Sequence, residues 1–331
     1  MTTPRTTTPR TTTPRTKTTG AAAGERQQDR AAPDDAWLEE VADGVFAYVQ
    51  PDGGWCLNNA GLVVSGGRAA LVDTAATETR ARRLREAVRG VTAAPPGVLV
   101  NTHFHGDHTF GNFVFPEALV VGHERTRSEA MAAGLHLTGL WPDVRWGALE
   151  LAPPALTYRD GVTLHVGDVR VEVLHPGPAH TTDDSVVWLP AQKVLFTGDI
   201  VMSGVTPFCA MGSVSGSLAV LDRLRSLGAR TVVPGHGPVA GPEVFDATES
   251  YLRWVRATAR HGLAERLTPM QVARACDLGE FAGLRDSERL LPNLRRAYAE
   301  EQGAAPGAPL DIGELFAEMI EFHGRLPTCR A

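Results

Sequence analysis

The sequence predicts an α/β fold followed by a helical C-terminal region. From about residue 36, segments with the alternating or continuous apolar pattern of strands are interspersed with segments in which apolar residues recur every three to four positions. Several predicted strands also run directly into aspartate or histidine residues. This is typical of layered α/β proteins, where active sites collect at strand ends.

The predicted elements follow one another in order. GVFAYV and AGLVVSGGRAALVDT are predicted as strands, with a Gly-Gly turn inside the second, and ETRARRLREAVRGV as an amphipathic helix. GVLVN is a buried strand, VTLHV and VRVEVLH form a hairpin around Gly167-Asp168, and SVVWLP and KVLFTGD form another strand pair. LAVLDRLRSL is a predicted helix, and RTVVPGHGP a last buried strand that ends in a histidine loop.

The chain divides into three predicted parts, residues 1–35, 36–245 and 246–331. The first repeats a Thr-Thr-Pro-Arg unit with almost nothing to bury, which predicts a disordered tail. It lacks the apolar stretch of a secretory signal, and its prolines oppose the amphipathic helix of a transit peptide. The last part is helical by pattern, with Thr268-Pro269 and Asp286 as helix-start signals. It either covers the functional site or forms a homodimer interface.

Composition and charge exclude several classes of protein. The 331 residues are 43% hydrophobic, enough for a sizeable core, and the net charge of -6 with no long basic stripe argues against nucleic acid. No run of about 18 apolar residues is present, so we expect no membrane span. The cysteines form no CxxC pair and indicate free thiols in a reducing, cytoplasmic compartment: Cys56, Cys209, Cys276 and Cys329.

The stretch NTHFHGDHTFGN, residues 101–112, places three histidines and an aspartate within six positions. His103 and His105 alternate in an extended segment, so both side chains point the same way. Gly106 permits a sharp turn before Asp107 and His108. Two of these residues can therefore face one metal ion and two another.

Three further candidate ligands lie at other predicted strand ends: His180 in GPAHTTDD, Asp199 in LFTGD and His236 in PGHGP. Imidazoles together with carboxylates suit zinc, with iron and manganese as alternatives, because nitrogen and oxygen ligands do not discriminate sharply. Asp199 is the acid that can bridge two ions. We predict two zinc ions per chain.

The HFHGDH motif at residues 103–108, with the later histidines and aspartate, resembles the metallo-β-lactamase superfamily over about residues 38–245. This resemblance implies an αββα sandwich with a binuclear site at one edge. It implies that His103, His105 and His180 hold a first metal ion and that Asp107, His108 and His236 hold a second. Asp199 would bridge the two ions.

Three details refine this resemblance. Asp73 in LVDT matches the family's acid that orients a ligand imidazole, although a strand-end turn former is the competing interpretation. The loop PGPAHT, residues 176–181, is slightly longer than the common PGHT. Asp199 stands where some true β-lactamases have cysteine, which favours the hydrolase branches resembling glyoxalase II.

A closer resemblance lies outside the metal motifs and covers nearly everything after residue 36. Six segments of this chain carry it: GGWCLNNAG, LTGLWPDVRWG, GPAHTTDDSVVWLP, VMSGVTPF, PGHGPVAGPEV and LPTC. In these segments the chain resembles the second- and third-ring cyclases of aromatic polyketide pathways, of the actinorhodin type. The resemblance implies an enzyme that closes a ring by aldol condensation on a carrier-protein-bound poly-β-ketone and hydrolyses its thioester. The alternatives are a glyoxalase II-like hydrolase of a small thioester or lactone, and a regulatory module without turnover. The complete ligand set argues against the regulatory module.

The predicted chemistry needs no serine or cysteine nucleophile, because two metal ions polarise a carbonyl and lower the pKa of water. Ring closure requires a base, and Asp107 is the catalytic candidate. The hydroxide and the pair Asp183 and Asp184 are alternatives, although a turn or cap role suits this pair better.

Other residues are predicted to be mainly structural. We expect a hydrogen-bonded loop histidine at His123, a surface position for His165 and a buried side chain at Cys209. Trp141 and Trp146 follow a predicted helix, and the open interpretations are a substrate pocket lining, core packing or a lid hinge.

Overall fold

The computed structural model of the chain describes residues 1–2 and 36–331. The predicted disordered tail therefore lies outside the described residues, apart from its first two. Within the described ranges, no helix combines the length and the apolar character that crossing a membrane requires.

The described strands form two sheets. The first has seven strands in chain order, antiparallel from β1 to β4 and parallel from β4 to β7. It contains β1 Trp37–Ala42, β2 Val45–Val49, β3 Ala60–Ser65, β4 Arg68–Val72, β5 Val98–Val100, β6 Leu119–His123 and β7 Leu156–Tyr158. The second has five strands in the order β12-β11-β10-β9-β8, with only β11 and β12 parallel. It contains β8 Gly161–Val166, β9 Val169–Leu174, β10 Val186–Leu189, β11 Val194–Met202 and β12 Thr231–His236.

Helices cover the outer faces of both sheets. The described helices are α1 Glu78–Val91, α2 Gly106–Thr109, α3 Glu124–Ala133, α4 His136–Leu140, α5 Val214–Ser226, α6 Glu243–Ala264, α7 Pro269–Ala275, α8 Leu290–Glu301 and α9 Ile312–His323. Short 3-10 turns lie at Asn112–Val114, Gly279–Gly283 and Ser287–Arg289. The predicted division at residue 245 falls inside α6 and stays a prediction.

Three apolar cores hold these layers together. Val63, Val100 and Val187 belong to a valine-rich core between the two sheets. Leu84 of α1 packs with the outer face of the first sheet, and Leu294 of α8 with that of the second. Burial of each such side chain stabilises the fold by about 1.5–3 kcal/mol. The predicted αββα sandwich with a helical C-terminal region is confirmed.

The strand β11 differs from its prediction near the site. KVLFTGD was expected to end at Asp199, whereas the strand continues to Met202. Its pairing with β12 shifts register on either side of Gly198, which has a positive φ of 51°. Glycine adopts this conformation readily, and such an irregularity redirects the next side chain. Asp199 therefore emerges from the middle of a buried strand.

The contact between α6 and α8 provides a stability prediction. Gly262 is buried on α6, and a Cβ placed there would collide with the Tyr298 hydroxyl and lie 2.5 Å from Val272 Cγ2. We expect Gly262→Ala to lower the free energy of unfolding by about 1–3 kcal/mol through overpacking. Denaturant titration measures the change.

Gly90→Ala is the matched control, because Gly90 lies in α1 with no neighbour within 4 Å of the added methyl group. This control is expected to be neutral or stabilising by up to about 1 kcal/mol. Equal stability of Gly262→Ala and wild type would contradict the packing argument.

Candidate metal centre

Residues from both sheets meet at one edge of the sandwich. The loop after β5 and the short helix α2 carry four of the seven predicted ligands, and the loop after β9, strand β11 and the end of β12 carry one each. All seven are at most 8% exposed. They form two groups, and within each group the candidate ligand atoms lie within 4.8 Å of one another. The first group is His103, His105, His180 and Asp199, and the second is Asp107, His108 and His236. Their role as ligands stays a prediction.

Asp199 contacts both groups. Its Oδ2 lies 3.5 Å from His180 Nε2 in the first group and 3.4 Å from His236 Nε2 in the second. Its Oδ1 lies 3.1 Å from His108 Nε2. A carboxylate in this place can contact ions in both groups, which is the geometry that a bridge requires.

The local shape of the histidine loop differs from its prediction. A sharp turn was expected at Gly106, but this residue begins the four-residue helix α2 without a positive φ. A Cβ here would collide with the Phe110 ring. The glycine is therefore required by close packing rather than by backbone conformation.

The outward-facing nitrogens of two site imidazoles contact backbone carbonyls. His180 Nδ1 donates to the carbonyl of Phe208, and His236 Nδ1 donates to that of Gly53 at 3.0 Å. A carbonyl only accepts, so the proton of each neutral ring is assigned to Nδ1. Nε2 of both rings is then left bare and faces the site.

Asp73 organises two more imidazoles. It accepts from the backbone nitrogen and the hydroxyl of Thr102, each at 2.7 Å, and from His108 Nδ1 at 2.9 Å. Because the Thr102 hydroxyl donates to Asp73, it is left to accept from His103 Nδ1, at 3.0 Å. Asp73 is therefore placed to orient both imidazoles. Its positive φ of 58° also turns the chain after β4.

The bare nitrogens of the first group crowd together. His105 Nε2 lies 3.3 Å from Met211 Sδ, so its Nδ1 faces inward, 3.1 Å from His103 Nε2 and 2.9 Å from His180 Nε2. His108 Nε2 of the second group and Asp199 Oδ1 of the first are also buried without a hydrogen-bond partner among the described residues. Converging lone pairs and unpartnered acceptors are stabilised by a cation, so these residues fit a metal centre.

The pKa values of the site histidines fall into two sets. Burial, followed by neighbouring histidines, holds the pKa values of His103 and His105 well below their usual value, and burial lowers that of His180 to about 4. Burial also disfavours charge on His108 and His236, but Asp199 and Asp107 outweigh it, raising the pKa of His236 to about 9. The first set is neutral at pH 7, the form that binds metal, whereas a metal ion bound by the second set would take the place of the proton on Nε2 of each ring.

Asp73 provides a test of the site that does not depend on the stability of the fold. We expect Asp73→Asn to weaken zinc affinity by about 10- to 100-fold, because it removes the negative charge and replaces one of the two oxygens that accept from Thr102 and His108 by a donor group. Competition with a chromophoric chelator measures the affinity. Asp168→Asn, at an exposed hairpin turn, is the control, and equal affinity in both variants would contradict an orienting role.

The two groups of candidate ligands are together called the metal cluster below. Other residues singled out in the sequence lie outside it. His123 caps α3, accepting from Arg125 N, and stacks on His175 at 4.2 Å. His165 is exposed, and Cys209 is buried with its Sγ 3.5 Å from Ser217 Oγ. These positions agree with the predicted structural roles.

The loop that carries His180 is held by a buried carboxylate. Asp184 accepts from the backbone nitrogens of Ala179 and Thr181, each at 3.0–3.1 Å, and from the Thr181 hydroxyl at 2.6 Å. Asp183 is also fully buried. Asp184 therefore shapes the loop, whereas both carboxylate oxygens of Asp183 have no hydrogen-bond partner among the described residues. Neither acid lines the cavity described next.

A cavity of about 300 Å³ opens on the metal cluster. Its walls are mostly apolar and aromatic, with Trp141 following α4 and Phe316 on α9. Trp146 packs in the core beside Trp141 and does not line it. Sequence reasoning missed several lining residues, because single side chains far apart in the chain carry no local pattern: Cys56, His136, Arg289 and Phe316.

The C-terminal segment is attached beside this cavity. The Trp141 indole donates to the carbonyl of Pro327 at 2.7 Å, and Arg80 donates to that of Arg330 at 2.6 Å. Cys329 packs in the same apolar cluster as Cys56. Both thiols are free, as predicted.

The family model of the metallo-beta-lactamase superfamily matches residues 53–236, more than half of the chain. This protein belongs to the metallo-beta-lactamase superfamily, whose members are generally metal-dependent hydrolases.

Similar proteins differ in their named activities. A metallo-beta-lactamase type 2 of Bacteroides fragilis is 24% identical, over 69% of this chain and 90% of its own length. The acyl-coenzyme A thioesterase MBLAC2 of Bos taurus is 28% identical, over 50% of this chain and 65% of its own. The solved metallo-beta-lactamase from Pontibacter korlensis aligns with a TM-score of 0.55 and 24% identity, over 66% of this chain and 99% of its own, which shows a shared fold.

Proposed function

We propose that the protein is a zinc-dependent polyketide cyclase and thioesterase acting on a carrier-protein-bound aromatic polyketide. The observation that carries this proposal is the aromatic cavity beside the metal cluster, because a flat, partly cyclised acyl chain would pack between such walls. The named activity of the thioesterase relative supports cleavage of the same bond type. The resemblance to aromatic polyketide cyclases supports the choice of acyl group.

The candidate residues serve as ligands, and one of them, Asp107, also serves as the base. In this proposal His103, His105 and His180 would hold one ion, Asp107, His108 and His236 would hold the other, and Asp199 would contact both. Bound metal ions would supply Lewis acidity at the carbonyl and lower the pKa of water. The Asp107 carboxylate lines the cavity, where it can accept a proton from the methylene between two ketones.

A covalent mechanism through a protein thiol is disfavoured. Cys56 is the cysteine among the described lining residues. Burial, with a smaller contribution from Cys329, raises its pKa well above the usual value. The thiol therefore stays protonated at neutral pH and is a poor nucleophile. Hydrolysis would then need water whose pKa is lowered by ions held in the two groups of candidate ligands.

The second candidate is a hydrolase of a small thioester or lactone, resembling glyoxalase II. The size of the cavity favours it, since about 300 Å³ is at the lower end of the range for ligand pockets. In this case hydrolysis would occur without ring closure.

Three substrates separate these candidates. We would offer a bicyclic aromatic poly-β-ketone as its N-acetylcysteamine thioester, the butyryl thioester of the same thiol, and a β-lactam. Release of thiol together with a cyclised, dehydrated acid, detected by mass spectrometry, is the expected result. Cleavage of the butyryl thioester alone would establish the second candidate, and cleavage of the β-lactam alone would overturn both.

A further inference from the structure

Arg289 places a positive charge in the wall of this mostly apolar cavity. It is 2% exposed, and its guanidinium carbon lies 4.1 Å from the centroid of the Trp55 ring. The Trp55 indole in turn donates to Glu288 at 2.8 Å, which fixes the ring beneath the guanidinium. Among the described residues that line the cavity, Arg289 is the one arginine or lysine.

The hydrogen bonding of this guanidinium is incomplete. Nη1 contacts the carbonyl of Thr206 at 3.1 Å and the Met202 thioether sulfur, a weak acceptor, at 3.0 Å. Nε is buried and has no hydrogen-bond partner among the described residues. Structural arginines in the same region differ, because Arg296 binds the carbonyl of Ala210 through both Nε and Nη2.

Within the described part of the chain, one poorly aligned carboxylate lies within ion-pair distance of Arg289. Asp286 Oδ2 lies 3.0 Å from Nη2 but lacks the geometry of a hydrogen bond. A buried guanidinium is costly unless its charge and its donors are satisfied. The planar donor fork also matches carboxylates and other oxyanions better than any neutral group.

We propose that Arg289 is a specificity-determining residue that binds an anionic oxygen of the acyl group, a carboxylate or an enolate. This deepens the proposed function and rests on it for the reacting end of the substrate, which faces the metal cluster. The acyl group would carry two oxygenated ends, one at the cluster and one at Arg289, with its apolar body between the aromatic walls.

A binding experiment tests this proposal without turnover. The probes are 2-naphthoate and 2-naphthamide, which match in size and differ in charge, and the readout is quenching of tryptophan fluorescence, since Trp55 and Trp141 line the cavity. We expect the wild type to bind the naphthoate at least about 10-fold more tightly than the amide. Arg289→Met is expected to remove this preference. A preference that survives in Arg289→Met would assign naphthoate binding to the metal ions and overturn the proposal.

A second variant keeps the arginine in place, in case Arg289→Met fails to fold. Asp286→Asn removes the competing carboxylate and is expected to tighten naphthoate binding several-fold with no change for the amide. Unchanged or weaker naphthoate binding in a folded Asp286→Asn would overturn the proposal. Both variants are compared with wild type by circular dichroism.

Kinetics distinguish failure of this proposal from failure of the proposed function. The probes are the N-acetylcysteamine thioesters of glutarate and of pentanoate. In Arg289→Met we expect kcat/KM to fall about 10-fold or more for the anionic thioester and less than about 3-fold for the neutral one. An equal fall for both would show a merely structural role. If the wild type cleaves no thioester, the proposed function fails, and the naphthoate comparison still decides the role of Arg289.

Discussion

His105→Ala is expected to lower kcat/KM for thioester hydrolysis by about 10³-fold or more, since Lewis-acid catalysis contributes several kcal/mol and each 1.4 kcal/mol is tenfold in rate. The substitution removes His105 Nδ1, which lies 3.1 Å from His103 Nε2 and 2.9 Å from His180 Nε2. The His105 ring lines the cavity rather than the core between the sheets, so the fold is expected to persist. Thiol release measures the rate, and elemental analysis measures the bound metal.

His165→Ala is the matched control, because His165 is exposed on the β8-β9 hairpin, away from the cluster. It should retain wild-type rate and metal content. Full hydrolysis by a His105→Ala preparation with reduced metal content would contradict the assignment of this imidazole.

Removing the metal is expected to lower the melting temperature by about 5–10 °C. Ligand-type residues come from both sheets, so a bound ion would link the loop after β5 to strands β11 and β12. Binding to the folded state alone contributes about 2.7 kcal/mol when free metal is 100 times its Kd. Each kcal/mol corresponds to about 2–4 °C for a domain of roughly this size.

Differential scanning calorimetry before and after chelation measures this change. Added zinc should restore the original melting temperature, whereas magnesium, which prefers oxygen ligands in octahedral geometry, should not. An unchanged melting temperature in protein shown to have lost its metal would refute the link between the sheets.

The elements with strong periodicity could be predicted from the sequence. The helix predicted from ETRARRLREAVRGV coincides with α1, where the Thr77 side chain caps the first turn. The strand β1 was not predicted, since WLEEVA is exposed or half-buried along its length and shows little apolar alternation. Its position depends on pairing with β2, which only the folded chain supplies.

The candidate ligands of the site could be predicted from the sequence, but the hydrogen-bond acceptors that orient them could not. Histidine and aspartate side chains carry their chemistry in the sequence, and the structure brings all seven candidates together. The acceptors that fix their tautomers are largely backbone carbonyls and one thioether, which no residue pattern marks. Arg289 was not predicted as a cavity residue, because an arginine at a helix start usually lies at the surface.

The outward hydrogen bonds of the five imidazoles bear on whether this centre can be moved to another protein. The segment NTHFHGDHTFGN supplies three of the rings, but among their outward partners it contains only Thr102. Asp73 follows β4, Met211 precedes α5, and the carbonyls of Phe208 and Gly53 belong to separate loops. A graft of this segment onto a different scaffold would therefore carry the ligands without the contacts that aim them.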